Sequence, residues 1–258
     1  MKRFLQQLRS LNPGPDQRRW IYVPYDQLSM HMGPLSRENP AELAVVLIEN
    51  PAKAARRPYH RQKLAWVLCH QRQFALELAR RGVHVDYRVG EYRQVLQQPR
   101  PGGLRMMEAA EWELRNELEG LPQLEVLPHE GWLTRPEHFL ASSSAAGQWR
   151  MDRFYRRVRQ DTGILMQRGK PVGGKYSFDH DNRQPWKGEP AAPVPPSYPL
   201  DDLRLEVEEL IQQSYSHHPG QLDTRSIPLS QSDIEHFWGW VKDQCLPWFG
   251  PFEDAMSS

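Results

Sequence analysis

The chain has 258 residues, and its 33 basic and 32 acidic side chains leave a formal charge of +1. That length allows one large domain, or a domain of about 150 residues plus a smaller unit. The charge balance excludes a global field that would draw the protein to nucleic acid or membrane. The two cysteines, Cys69 and Cys245, are too few for a four-thiolate zinc or iron–sulfur site and suit a reducing compartment. The N-terminus has no apolar core of signal-peptide length, and no run approaches the ~18 apolar residues of a membrane span. A soluble, cytoplasmic protein is expected.

Residues 1–18 read as an N-terminal extension. From residue 19 strand and helix signals alternate. RWIYVPY is a short apolar run that ends at Asp26 and Gln27. ELAVVLIE is almost continuously apolar up to Glu49, the pattern of a strand buried on both faces. The stretch from Tyr59 to Gly82 places Leu64, Val67, Leu68, Ala75, Leu78 and Ala79 on one helical stripe, with Gly82 where a C-cap glycine belongs. VHVDYRV is a third strand, EYRQVLQQ a short helix and LRMME a fourth strand ending at Glu108. AEWELRNELEGL is a helix and LEVLPHE a fifth strand. This alternation predicts an α/β domain over 19–140: a Rossmann-like, five-stranded parallel sheet with flanking helices and right-handed connections.

After Glu130 the pattern changes. The segment 141–200 holds a basic helix, WRMDRFYRRVRQDTGILMQ, and then a Gly- and Pro-rich stretch without periodicity, which reads as a connector. The segment 201–258 carries two helices, LDDLRLEVEELIQQSY and SQSDIEHFWGWVKDQCLPWFG. The second is capped by Ser230 or Ser232 and closed by Pro247.

Within the connector, GKPVGGKY (169–176) reads G-x-x-x-x-G-K and then places Tyr176 where a P-loop has Ser or Thr. A P-loop also needs a strand before it and a helix after it, so that phosphate meets a helix N-terminus. Here a basic helix precedes and SFDHDNRQPW follows. The stretch reads instead as a glycine turn that lets the backbone cross close to another surface.

Ligands of an open parallel sheet bind beyond the carboxyl ends of its strands, where the strand order reverses. Asp26, Gln27, Glu49 and Glu108 stand at such ends. They are the candidate binding residues, able to accept hydrogen bonds from a hydroxyl- and NH-rich ligand or to hold Mg²⁺. The alternative is solvated strand ends that cap the following helices. Arg150, Arg153, Arg156, Arg157, Arg159, Arg168 and Lys170, interleaved with Trp149, Phe154 and Tyr155, fit nucleic-acid phosphate or an ordinary solvated helix face. Neither metal-ligand spacing among the histidines nor a Ser/His/Asp arrangement is visible, so no catalytic residue and no metal ligand is assigned. Phe237, Trp238, Trp240, Trp248, Phe249 and Phe252 crowd the last helix, either packing on earlier helices or forming half of an interface.

Several stretches together resemble the photolyase/cryptochrome superfamily. VPYDQLS resembles its first strand and loop, usually L-G-D-Q-L-S. MEAAEWELRNEL resembles its T-E-P-G-E-W-R segment. MDRFYRRVRQDTGILMQRGKPVGGKYSFDHDNRQP is similar to Y-R-x-x-R-x-x-T-G-x-L-M…P-V-G-G-x-W-x-F-D-x-x-N-R, and FWGWVKDQCLPWFGPFEDAM to F…F-G-x-x-x-D-A-M. The set is that of the photolyase-related branch, the iron–sulfur bacterial cryptochromes and (6-4) photolyases, and covers about residues 20–256.

This resemblance implies light-driven DNA repair by reduced FAD in a helical domain with a four-cysteine [4Fe–4S] cluster. It implies that this chain holds the N-terminal half only: an antenna-type domain, a connector and the first helices of a truncated flavin-type domain, without the FAD site or the cluster. DNA is the partner of full-length relatives and is expected to bind this chain weakly or not at all. The aromatic tail would face a flavin domain or another protein. A lumazine antenna would lie at the sheet edge, with Asp26, Gln27, Glu49 and Glu108 in matching places. Two departures imply weak antenna binding or none: Tyr25 replaces the usual glycine, and Lys53 replaces an acid of an E-x-x-x-E pattern. The other readings are a non-catalytic interaction module, or a relic of a photolyase, that binds a partner through its aromatic C-terminal helix, and a Mg²⁺-dependent phosphate-handling enzyme using Asp26, Glu49 and Glu108.

Overall fold

The computed structural model describes residues 1–143, 147–178, 189 and 191–252. They divide into two compact units, one of residues 1–130 and 195–239, the other of 131–194 and 240–258.

The first unit opens with helix α1 (Lys2–Leu11), whose Phe4 and Leu8, one turn apart, are buried in the core. Its free N-terminal amides are satisfied from afar: the Glu206 carboxylate accepts from Arg3 N at 2.7 Å and Phe4 N at 3.0 Å. Strand β1 (Arg19–Tyr22), a short helix α2 (Pro34–Arg37) and a 3₁₀ turn (Pro40–Glu42) lead to β2 (Leu43–Glu49). Helices α3 (Pro51–Arg56) and α4 (Arg61–Arg80) follow, and Gly82 ends α4 at φ +87°, the left-handed conformation its position requires. Next come β3 (His84–Val89), α5 (Tyr92–Leu96), β4 (Leu104–Met107), α6 (Trp112–Leu118) and β5 (Leu124–Leu127).

The five strands form one parallel sheet in the order β3-β2-β1-β4-β5, as expected from the alternation. Every residue of β2 is buried. Leu43, Val45 and Leu47 join the core under α1 and α4, while Val46 and Ile48 join the core under α5 and α6. Two apolar faces on one strand account for its unbroken apolar run. The β3 edge is covered by Asn12, which donates to Val85 O at 2.9 Å and accepts from Val85 N at 2.7 Å.

In the second unit, helices α7 (Pro136–Leu140) and α8 (Met151–Thr162) meet through Phe139, stacked on Trp149 and edge-on to Phe154. Gly163 ends α8 at φ +71°, and β6 (Met166–Gln167) and β7 (Lys170–Pro171) form an antiparallel hairpin. GKPVGGKY therefore belongs to this hairpin and the turn after it. At Gly173 the φ of +79° favours glycine, and an added Cβ would lie 2.5 Å from Phe178 Cζ, so the backbone does pass close to a ring. The basic side chain Arg159 is buried, donating to Leu165 O and Tyr176 O. The DHDNRQP part of the motif and the DAM tail lie outside the described residues.

The chain returns to the first unit with helix α9 (Asp202–Ser214), whose Leu203, Val207 and Ile211 enter the core with α4. Arg204, also buried, donates to Ile227 O at 2.7 Å and to Asp233 Oδ2 at 2.9 Å, fastening residues 224–233. Helix α10 (Gln231–Trp240) does not end at Pro247. A π turn (Val241–Cys245) intervenes and a further helix, α11 (Leu246–Phe252), begins there. Trp240 and Leu246, on either side of the π turn, are both right-handed helical, so the chain stays helical up to Pro247, and the wider π turn just before it is where the ladder takes up the missing N–H.

Candidate functional site

The strand order reverses between β1 and β4, because the chain adds β2 and β3 on one side of β1 and then β4 and β5 on the other. The carboxyl ends of these two strands are the expected ligand position of such a sheet. Tyr25, Asp26 and Gln27 follow β1 there, and Glu108 follows β4.

Gln27 is 2% exposed, and its Nε2 donates to Glu108 O at 2.9 Å, bridging the two strand ends. Its Oε1 is buried without a hydrogen-bond partner among the described residues. Asp26 is exposed as a residue, yet desolvation of its carboxyl raises its pKa above the ordinary value; its own backbone hydrogen bond opposes this, and the charge of Glu111 adds to it. The Glu108 carboxylate is turned outward and pairs with Arg115 at 3.2 Å. Of the four candidates, three thus gather where β1 and β4 part.

Glu49 goes elsewhere. It shares the face of β2 that carries Val45 and Leu47, toward α4. There the carboxylate meets Arg72 Nε at 2.6 Å and Arg72 Nη2 at 3.1 Å. Tyr87 also donates its hydroxyl to Glu49 Oε1. Arg72 is fully buried and Glu49 is 6% exposed. Burial acts to lower the Arg72 pKa, but the hydrogen bonds and charge of Glu49 outweigh it and hold the guanidinium above its ordinary value. Glu49 is the partner of a buried cation. Arg72 escapes a sequence reading because it lies in the polar run His70–Gln73, which looks like a solvated stretch of the helix, and only the end of β2 beside it gives it a carboxylate.

A second cluster covers the mouth between β1 and β4. The Lys53 ammonium of α3 lies 4.9 Å from the centre of the Tyr25 ring and forms an ion pair with Glu111, the residue before α6. The Lys53 and Glu111 side chains are 14% and 24% exposed. Desolvation raises the Tyr25 pKa, and Glu111 raises it further by charge and by a hydrogen bond. Next to this pair, Arg56 and Arg57, at the end of α3, hold Glu113 of α6 at 3.0 Å and 2.6 Å. Tyr25 and Lys53 stand out in the sequence, whereas Glu111 does not: its only signal is its place in MEAAEW.

The arrangement presents hydrogen-bonding groups but, among the described residues, no nucleophile held beside a base. Among the described residues no group of three His, Cys, Asp or Glu side chains is placed to hold a metal ion. With Glu49 bound to Arg72, the three-carboxylate site required by the phosphate-handling reading does not form. No helix is long and apolar enough to cross a membrane among the described residues.

A family model described as deoxyribodipyrimidine photo-lyase-related protein matches residues 21–226. A (6-4) photolyase of Agrobacterium fabrum is 28% identical over 247 residues, covering 90% of this chain and 49% of that protein. The chain spans about half the length of this relative.

Proposed function

The chain belongs to the deoxyribodipyrimidine photo-lyase-related family, and we propose that it serves light-dependent DNA repair as the N-terminal, antenna-type half of a cytoplasmic flavoprotein of the (6-4) photolyase and iron–sulfur cryptochrome branch. One observation carries the reading: the family match begins in β1 and runs through the connector to the turn at 224–226, across both units. Flavin chemistry and lesion binding then belong to a helical half additional to these residues. Cys69 is packed in the core with its thiol pushed up to about 12 by burial, and Cys245 is distant in sequence, so the cysteines of this chain do not fit a four-thiolate site.

The interaction-module reading is favoured by one feature of α10. Ile234 and Trp238, one turn apart, are 44% and 57% exposed. Native protein captured with an antibody to residues 1–150 separates the two. The repair reading expects either a product well above 30.2 kDa or a co-purifying flavin-binding chain, with repair of ultraviolet-irradiated DNA under light. A flavin-free 30.2 kDa product inactive on such DNA would overturn it in favour of the module.

A further inference from the structure

Three loops from three strands meet over the switch point, and each brings one group to the same spot. Tyr25 comes after β1, Lys53 from α3 after β2, and Glu111 from the start of α6 after β4. The Lys53 backbone is itself fixed, because its N–H donates to the Asn50 side chain at 3.0 Å as the cap of α3. Its ammonium then covers the Tyr25 ring and pairs with Glu111. The flanking pairs of Arg56 and Arg57 with Glu113 tie the same two elements together.

We infer that Tyr25, Lys53 and Glu111 form an internal plug in the crevice between β1 and β4, and that this plug excludes a lumazine-type antenna. A flat heteroaromatic ring entering there would have to displace the phenol, and it would have to separate a partly buried ion pair whose members would each lose their partner. It would also meet an ammonium, which donates hydrogen bonds and cannot accept those of the ring N–H or ribityl hydroxyls. At this edge the buried Gln27 Oε1, which has no hydrogen-bond partner among the described residues, and the Asp26 carboxyl are acceptors of the kind such a ligand needs. The inference rests on family membership for the choice of ligand, and it stands apart from the repair reading because binding alone tests it.

The full chain is titrated with 6,7-dimethyl-8-ribityllumazine, followed by fluorescence polarisation. The wild type is expected to show no saturable binding. The double variant Tyr25→Gly, Lys53→Glu is expected to bind at least roughly tenfold more tightly than the wild type. Tyr25→Ala alone, which leaves the Lys53–Glu111 pair in place, is expected to show a smaller gain and serves if the double variant does not fold. Saturable wild-type binding would overturn the inference. So would a folded variant that binds no better than the wild type, since the plug would then not be what excludes the ligand. Neither result bears on the native mass or the repair assay, so failure here is distinguishable from failure of the proposed function.

Discussion

Replacing Glu49 with Gln tests whether this carboxylate is structural. The change keeps the shape of the side chain and removes its charge. In the wild type Glu49 accepts from Arg72 Nε at 2.6 Å, from Arg72 Nη2 at 3.1 Å and from the Tyr87 hydroxyl. A carboxamide offers one acceptor oxygen and turns two donor hydrogens toward the others. Arg72 is fully buried, so its charge would remain without a counter-charge and without water. Leaving one member of a buried pair unpartnered costs about 3–5 kcal/mol, a large part of the ~5–15 kcal/mol that holds a domain folded. Urea unfolding followed by circular dichroism would show the midpoint fall, and hydrogen exchange of the β2 and α4 amides would place the loss in this unit. Replacing all three partners, Glu49→Leu with Arg72→Met and Tyr87→Phe, is expected to recover much of the loss, because neither a charge nor the Tyr87 hydroxyl is then stranded. A loss below ~1 kcal/mol for Glu49→Gln would refute the reasoning, since it would mean that water or another acceptor reaches Arg72.

Two further predictions concern other fastenings. Desolvation acts to raise the Asp233 pKa, but the N–H groups of Leu229 and Ser230, the Ser230 hydroxyl and Arg204 outweigh it and lower the value from 3.8 to about 2. A depressed carboxylate stabilises the fold above its unfolded pKa and loses that contribution as pH falls through the folded value, so about 2 kcal/mol should vanish between about pH 4 and pH 2. Urea midpoints across this range should fall more steeply for the wild type than for Asp233→Asn, and equal slopes would count against the assignment. In the second unit, Gly173→Ala meets both the positive φ and the Phe178 ring, and should cost about 1–3 kcal/mol of hairpin stability, read as faster amide exchange over 163–178. Adding Phe178→Ala should restore only the steric share, and unchanged exchange in Gly173→Ala would argue that the turn is not held as described.

Much of the first unit was legible because its signals are local. The unbroken apolar run of 43–48, ended by Glu49, has the length and β-branched content of a strand covered on both sides, and the α4 stripe and Gly82 mark a helix and its end. What escaped is long-range. Phe4 and Leu8 look like any amphipathic segment, and only the core under α4 and α9 makes residues 2–11 part of the unit. Pro247 reads as a helix stop, yet the π turn before it lets a new helix begin.

The same division runs through the site. Periodicity and strand-ending acids belong to the chain itself, so the sequence alone determined the sheet, its parallel sense and the edge at which Asp26, Gln27 and Glu108 stand. Which acid is already spoken for depends on partners distant in the chain, and the tertiary structure alone decided that. Glu49 lies 23 residues from Arg72, and Lys53 lies 58 residues from Glu111. A carboxylate's availability is set by the charge and burial around it, and those exist only once the sheet has brought the loops of β1, β2 and β4 together.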